Sequence, residues 1–264
     1  MKFEQLRRGS IASGADLRVR LGRREDQEFI ERMNSAACAQ RPSDRVARPL
    51  YQRGIRTALD RRLGYVLAVG EAYNAAVEKD LIQAFTDAMD AASFDLVALK
   101  DGEAVGLVSV GASSDLAFGL LESLGNQGQH QVLSLLMGLP KLISVTVEES
   151  ERGRGYGTDL LSTTRKIVSR MGCVGLYGQC HDQGGLVRFY ESAGLTVLDR
   201  GQQLNAFPIS GSHIVTKQPG DPSEGPFIGA QDGYRIFYGL GGHRQQNPSE
   251  EMLMQLNVPA GADS

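Results

Sequence analysis

The stretch KLISVTVEESERGRGYGTDLLSTTRKIVSRM, residues 141–171, decides the fold. Apolar and polar residues alternate over residues 142–147, and this pattern predicts a half-buried β-strand. From about Thr158 the apolar residues recur with the period of an amphipathic helix. Between strand and helix the chain has three glycines within five residues, at Gly153, Gly155 and Gly157.

This turn has the properties of an anion-binding site. Glycines allow the backbone to turn sharply and to approach a ligand closely. The helix that follows leaves its first N–H groups unpaired at the positive end of its dipole. Arg152 and Arg154 add charge that can bind phosphate oxygens. We predict a diphosphate-binding turn here; the alternative is a plain surface turn with two solvated arginines.

The spacing of the turn excludes two common nucleotide sites. No Gly-Lys-Ser/Thr follows at the spacing of a P-loop, and the glycines do not fit the dinucleotide fingerprint. The pattern Arg-x-x-Gly-x-Gly, with Arg152, Gly155 and Gly157, resembles the acetyl-coenzyme A signature of the GCN5-related N-acetyltransferase (GNAT) superfamily. Downstream, FYESAGL at 189–195 resembles the late motif of the same family, a helix that carries Phe-Tyr-Glu and ends at glycine.

The resemblance covers residues 17–217 and implies a layered α/β fold. In that fold a mixed, mostly antiparallel sheet of about seven strands is flanked by helices. The sequence fits strands at 17–21, 94–100, 104–110, 142–147, 174–179 and 212–217, with a hairpin at Asp101-Gly102. We expect helices over 26–38, 71–92 and 184–193, a helical insertion over 112–140 that breaks at Gly125-Asn126, and flexible residues 1–16. Residues 218–264 form a Gly/Pro-rich extension, with a possible added strand over 234–238 and a short helix over 249–256.

The resemblance also implies a function, the transfer of an acetyl group from acetyl-CoA directly to an amine. The expected contacts to the diphosphate come from Arg152, Gly153, Arg154, Gly155, Tyr156, Gly157 and Thr158. The pantetheine arm would pair with the strand edge at Val145 and Val147, where a backbone N–H near Val147 could steady a developing oxyanion.

Three side chains are implied in proton transfer. Tyr190 matches the tyrosine that donates a proton to the leaving sulfur, and a phenol is protonated at neutral pH. Glu148 and Glu149 end the strand, where either could accept a proton from the amine, directly or through water. The alternatives are a core-packing tyrosine and two solvated acids.

The chain departs from the family pattern at two positions. Gln183 and Leu186 replace the asparagine and the small alanine that often precede the tyrosine. Gln183 could still bind the pantetheine, whereas the larger Leu186 would alter the fit. Two other functions remain open: a GNAT-like sensor or interaction module that binds an acyl-CoA without turnover, and an enzyme that uses a longer acyl-CoA.

Composition limits the other classes. The 264 residues carry a formal net charge of −3, which gives no overall bias towards nucleic acid or membranes. The sequence has no membrane-length apolar run and no classical signal peptide, and its three cysteines indicate a reducing compartment, so we expect a cytoplasmic protein. The four histidines do not pair at metal-ligand spacing, so we expect no metal, and adjacent Cys180-His181-Asp182 do not favour a catalytic triad.

The acceptor is less constrained by the sequence. The segment 41–62 contains seven arginines and two aspartates in a region that, by the resemblance, lines the acceptor cleft. It favours an anionic or macromolecular acceptor, with tRNA among the family's acceptors, or else it is a solvated helix face with snorkelling arginines. The 112–140 insertion could cover the active site, form a homodimer contact or pack locally.

Overall fold

A central sheet organises the chain. The structure, a computed structural model, describes residues 11–12, 16–37, 39, 47–61, 63–112, 114–125, 128–205, 216–217 and 227–240. The strands are β1 (Ile11–Ala12), β2 (Leu17–Leu21), β3 (Phe94–Lys100), β4 (Glu103–Gly111), β5 (Lys141–Val147), β6 (Gly175–His181), β7 (Thr196–Val197), β8 (Gln203–Asn205), β9 (Thr216–Lys217), β10 (Phe227–Ile228) and β11 (Tyr234–Leu240). The helices are α1 (Gln27–Ala36), α2 (Arg53–Asp60), α3 (Gly64–Asn74), α4 (Leu81–Ala92), α5 (Ser114–Leu124), α6 (Gly128–Gly138), α7 (Tyr156–Arg170) and α8 (Gly184–Ser192).

The eight-stranded sheet has the order β1-β2-β3-β4-β5-β6-β11-β7, and a separate three-stranded sheet has the order β10-β8-β9. β5 and β6 pair in parallel, whereas the other neighbouring strands of the larger sheet pair antiparallel. The predicted layered α/β class, with a mostly antiparallel mixed sheet flanked by helices, is therefore confirmed.

Alternation along the strands divides the core into two faces. On one face Ile30 and Met33 of α1 pack with Val97 and Leu107. On the other face the even-numbered residues of β3 join a larger core with α3, α4, α6 and α7. Since successive side chains of a strand point to opposite faces, β3 and β4 are buried from both sides.

The structure contains the hairpin and the helical insertion that local sequence signals predicted. Asp101 and Gly102 have φ of 52° and 93° between β3 and β4, the left-handed conformation that a two-residue hairpin requires. The insertion forms two helices, α5 and α6, on either side of Gly125. The prediction of one helix over 71–92 was wrong, because Asp80 accepts a hydrogen bond from the Gln83 N–H at 3.0 Å and begins a new helix there.

The last strands of the sheet differ most from the prediction. Tyr234–Leu240 pairs along its full length with β6 and also with β7, so the possible added strand is an inner strand of the main sheet. The strand expected at 212–217 is described only at Thr216–Lys217, where it belongs to the smaller sheet. Period and propensity mark a strand but not its partner, which explains the difference.

Several predicted segments lie outside the described residues: 1–10, 41–46 and 241–264, including the helix expected at 249–256. Among the described residues, no helix is both long enough and apolar enough to cross a membrane.

Candidate active site

β5 and β6 separate after two paired positions and form a fork. Their parallel pairing joins Lys141 to Tyr177 and Leu142 to Gly178, and it stops there within the described sheet. Gly178 is essential to this geometry, since a Cβ on it would lie 2.4 Å from Phe237 Cζ and 2.9 Å from the Leu142 carbonyl oxygen.

A cleft of about 920 Å³ opens at the fork. Its walls are all of β5, Gln179, Cys180 and His181 of β6, Leu186 and Tyr190 of α8, and Arg152, Gln231 and Tyr234. At the Lys141 end the lining residues include Arg48, Asp90, Ser93 and Ser114. The strand edge, Tyr190 and, from the predicted turn, Arg152 thus line one cavity.

The edge of β5 turns alternate backbone groups to the cleft. The Glu148 N–H donates to the Val105 carbonyl at 2.9 Å, which makes that pair a hydrogen-bonded pair of the β4–β5 ladder. Since such pairs alternate along an antiparallel ladder, the backbone groups of Val147 and Val145 point away from β4. The carbonyl of Val147 accepts from Arg152 Nε at 3.2 Å, as this orientation requires.

The glycine turn has the predicted open conformation. Gly153 and Gly155 have φ of 78° and 84°, which strongly favours glycine, and a Cβ built on either would meet no atom within 4 Å. α7 starts directly after Gly155, and its first backbone bond runs from the Asp159 N–H to the Gly155 carbonyl at 3.0 Å. The N–H groups of residues 156–158 therefore have no carbonyl one turn back along the helix.

The two arginines of the turn differ in their contacts. Arg152 is exposed and lines the cleft. Arg154 Nε lies 3.2 Å from Glu151 Oε2, and the same carboxylate binds Lys100 Nζ at 3.0 Å. Glu151 thus neutralises part of the charge that the sequence suggested for phosphate binding.

Two of the predicted cofactor residues also have packing roles. The side chain of Tyr156 is buried in the core. A Cβ on Gly157 would lie 3.0 Å from Phe189 Cε2, so this glycine lets α8 pack against the start of α7. Thr158 is partly exposed in the first turn of α7.

Tyr190 stands beside the fork. It is 8% exposed, and its ring stacks on Phe237 of β11 with centroids 4.0 Å apart and planes at 15°. Phe237 faces Gly178 in the β6–β11 register, so the stack places Tyr190 where β5 and β6 part. Burial, helped by the nearby Cys180, raises the pKa of the Tyr190 phenol and keeps it protonated.

The two acids of the predicted site lie outside the cleft lining. Glu148 binds Arg32 of α1, with 2.6 Å between Oε1 and Nη2, and this hydrogen bond raises the pKa of Arg32. Glu149 is exposed in a single 3-10 turn, residues 149–151. Gln183 is also exposed, as the residue that precedes α8, and the nearby Leu186 does line the cleft.

The sequence analysis missed the wall formed by the C-terminal segment. The hydroxyl of Tyr234 in β11 lies 3.1 Å from His181 Nε2, and the centroids of the two rings are 4.2 Å apart. Both residues line the cleft with Gln231. The alternating sequence YRIFYGL at 234–240 was the available signal for this strand. Asp182 instead pairs with Arg200 and lies 4.0 Å from Arg235.

A buried polar network supports β5 from the α1 face. Ser144 of β5 donates to Asn34 Oδ1 at 2.6 Å, and Ser109 of β4 lies 3.2 Å from the same oxygen. The Ser109 hydroxyl donates to a carboxylate oxygen of Asp95 at 2.5 Å, and Asp95 also binds the hydroxyl of Tyr51. Because every member is hydrogen-bonded, the network fixes α1 against the cleft wall.

Of the arginine-rich segment, Arg48 reaches the cleft. Its Nη1 lies 3.2 Å from each carboxylate oxygen of Asp90, in the last turn of α4. Arg53 and Arg61 both bind Glu71 of α3, at 2.8 and 3.6 Å. Arg41, Arg45 and Arg62 lie outside the described residues. The described part of the chain contains no group of three or more His, Cys, Asp and Glu side chains that could hold a metal ion.

Comparison with known families matches residues 65–195 to the acetyltransferase (GNAT) family. This range contains the helical insertion, β5, the glycine turn and Tyr190. The family motifs that suggested the resemblance therefore lie inside the matched region.

Comparison with solved structures finds distant likenesses. yncA of Salmonella typhimurium, solved with its cofactor acetyl-CoA, is 16% identical over 88% of this chain and 98% of that one, with a TM-score of 0.44. A spermidine N-acetyltransferase variant from Vibrio cholerae is 13% identical over 86% and 95%, with a TM-score of 0.43. An acetyltransferase of the GNAT family from Streptococcus pneumoniae is 15% identical over 85% and 99%, with a TM-score of 0.41. The comparison with curated proteins finds no match.

Proposed function

We propose that this chain, whose residues 65–195 match the acetyltransferase (GNAT) family, transfers an acetyl group from acetyl-CoA directly to the nitrogen of an amine. The observation that supports this proposal is the fork, where Tyr190, the edge of β5 and Arg152 line one cleft.

The residues present fit acetyl-CoA. The open space beside Gly153 and Gly155 leaves room for a diphosphate next to the N–H groups of residues 156–158. Arg152 supplies positive charge at the same end of the cleft. Acetyl-CoA supplies the activated thioester; the chain supplies the backbone groups of Val145 and Val147, which we propose hold the pantetheine arm along β5.

Tyr190 has the role of the proton donor to the departing sulfur in this proposal. Its buried, protonated phenol beside the fork supports the role, and its stacking on Phe237 fixes the ring. The proton of the amine is not assigned to either expected acid. Glu148 and Glu149 do not line the cleft, and both follow Val147, at the end of β5 opposite Leu142 and Tyr190.

Calorimetric titration with acetyl-CoA tests the cofactor site. Gly155→Glu places a carboxylate and a side chain in the proposed diphosphate site, and we expect the affinity to fall at least about tenfold, because a charge-assisted hydrogen bond is worth roughly 1.5–3 kcal/mol. Gly102→Glu is the matched control: Gly102 has φ of 93° and equally open surroundings, but it lies in the β3–β4 hairpin. Equal binding by both variants would contradict the site.

Turnover separates an enzyme from a binding module. Tyr190→Phe removes the hydroxyl and keeps the ring that stacks on Phe237. We expect kcat to fall about 10²–10⁴-fold, the usual contribution of a positioned acid, with unchanged affinity for acetyl-CoA. Binding of acetyl-CoA without acetylation of any amine by the parent protein would favour the sensor module instead.

A further inference from the structure

The Lys141 end of the cleft carries charged side chains that the acetyl donor does not need. We propose that the acceptor is a small amine that also bears an anionic oxygen group, a carboxylate or a phosphate, and that Arg48 and Lys141 bind this group. The inference rests on the proposed acetyl transfer and adds the class of acceptor to it.

The position of these charges assigns them to the acceptor. Val147 and Arg152 mark one end of the cleft and Lys141 the other, and six residues of extended strand separate the ends by about 20 Å. Tyr190 stands at the fork, beside Leu142 and Gly178. A donor arm that runs along β5 from the glycine turn therefore reaches Tyr190 before it reaches Lys141, and the space beyond is left for the second substrate.

The balance of charge favours an anion. At the Lys141 end of the cleft the described charged side chains are Arg48, Lys141 and Asp90, whereas Arg152 lies at the opposite end with the donor. Cationic groups in a concave site raise the local concentration of anionic ligands.

The Arg48–Asp90 pair is built into the wall rather than lying on the open surface. The side chain of Arg48 is 31% exposed and that of Asp90 is 18% exposed, so solvent and salt screen this pair less than an exposed one. An acid in the last turn of a helix faces the negative end of the dipole, which is unfavourable. The contact of both Asp90 oxygens with Arg48 Nη1 offsets that cost.

This arrangement gives the two residues different roles. A guanidinium carries five N–H donors in one rigid plane, so the contact of Asp90 with Nη1 restricts where the other donors can lie. Asp90 is therefore a positioning residue, and Arg48 is the group that contacts the acceptor. A planar guanidinium matches the geometry of a carboxylate or a phosphate.

Matched pairs of amines test the acceptor class. Initial rates are measured with saturating acetyl-CoA for 4-aminobutyrate against pentylamine and for phosphoethanolamine against ethanolamine, with putrescine as the dicationic probe. We expect kcat/KM to favour the anionic member of at least one pair by about tenfold or more, and the better pair identifies carboxylate or phosphate. Preference for the amines that lack an anionic group, pentylamine and ethanolamine, or for putrescine would overturn the inference.

Variants of Arg48 separate binding from structure. Arg48→Gln should raise KM for the anionic amine about 10–100-fold, the usual effect of losing a charge-assisted hydrogen bond. KM for the matched amine without an anionic group and the affinity for acetyl-CoA should stay unchanged, and Arg48→Lys should restore part of the selectivity. An equal loss for both amines would mean that the ion pair only holds α4 in place, and would overturn the inference.

The outcome also distinguishes this inference from the proposed function. If only amines without an anionic group are acetylated, the proposed acetyl transfer stands and the anionic acceptor is ruled out. Failure of the parent protein to bind acetyl-CoA removes both. Binding of acetyl-CoA without turnover of the anionic amines overturns the acceptor class.

Discussion

Substitution of Gly178 by alanine tests the geometry of the fork directly. The new Cβ would lie 2.4 Å from Phe237 Cζ and 2.9 Å from the backbone oxygen of Leu142. The first contact forces a buried ring to move and the second forces two strands apart, so the substitution belongs at the upper end of the usual cost of overpacking. We expect a loss of about 3 kcal/mol in the free energy of unfolding.

Urea unfolding followed by circular dichroism measures this loss. For a chain of this size, about 3 kcal/mol corresponds to a fall of roughly 6–12 °C in Tm. Gly119→Ala in α5 is the matched control, because a Cβ there meets no atom within 4 Å and alanine favours a helix by up to about 1 kcal/mol. A loss below about 1 kcal/mol for Gly178→Ala would refute the packing argument.

A double-mutant cycle identifies the cause. If the Phe237 ring is the main obstacle, Phe237→Leu combined with Gly178→Ala should cost less than the sum of the single changes, with a coupling of about 1 kcal/mol or more. Additive losses would show that the Leu142 oxygen or the strand itself dominates. The same proteins should lose activity, since Phe237 also holds the Tyr190 ring.

Three further predictions concern pH and local stability. Burial raises the pKa of the Cys173 thiol and of the Tyr65 phenol, so both stay protonated in the folded protein at a pH where they ionise in the unfolded chain. The free energy of unfolding should therefore be full below about pH 8.5 and fall at higher pH, as urea midpoints would show. Cys173→Ala should remove the earliest part of this fall. The raised pKa of Tyr190 should keep its hydroxyl active as a donor, so kcat should show no loss from this residue up to about pH 10, and a loss centred well below that pH would contradict its role. Asp80→Ala removes the cap on the Gln83 N–H and should destabilise the fold by about 1 kcal/mol in urea unfolding, whereas Asp80→Ser should retain most of the stability.

Local signals in the sequence predicted much of the fold. Asp101-Gly102 specifies its hairpin through backbone conformations that the two residues themselves adopt readily. The end of α8 was predictable in the same way, because Gly194 has φ of 75° just past the helix. The glycine turn between β5 and α7 was likewise encoded within a dozen residues.

What the sequence left open depends on distant partners. Glu151 forms an ion pair with Arg154, which is close in the sequence, but also with Lys100, which is 51 residues away. The sequence indicates no partner for Glu148, whereas in the fold α1 places Arg32 beside it. The contacts of a long charged side chain follow from the tertiary fold, so no local pattern gives them.

The late position of β11 in the chain affects how the protein is made. Between β7 and β11 lie the 36 residues 198–233, which a ribosome needs roughly 2–7 s to add at 5–20 residues per second. During that interval β6 has its partner at the fork but lacks β11 on its outer side, so it offers an unpaired edge to other nascent chains. Phe237 is also still missing, so Tyr190 is synthesised well before the ring that holds it. Slow translation across 198–233 should therefore lower the soluble yield before it alters the activity of the molecules that fold.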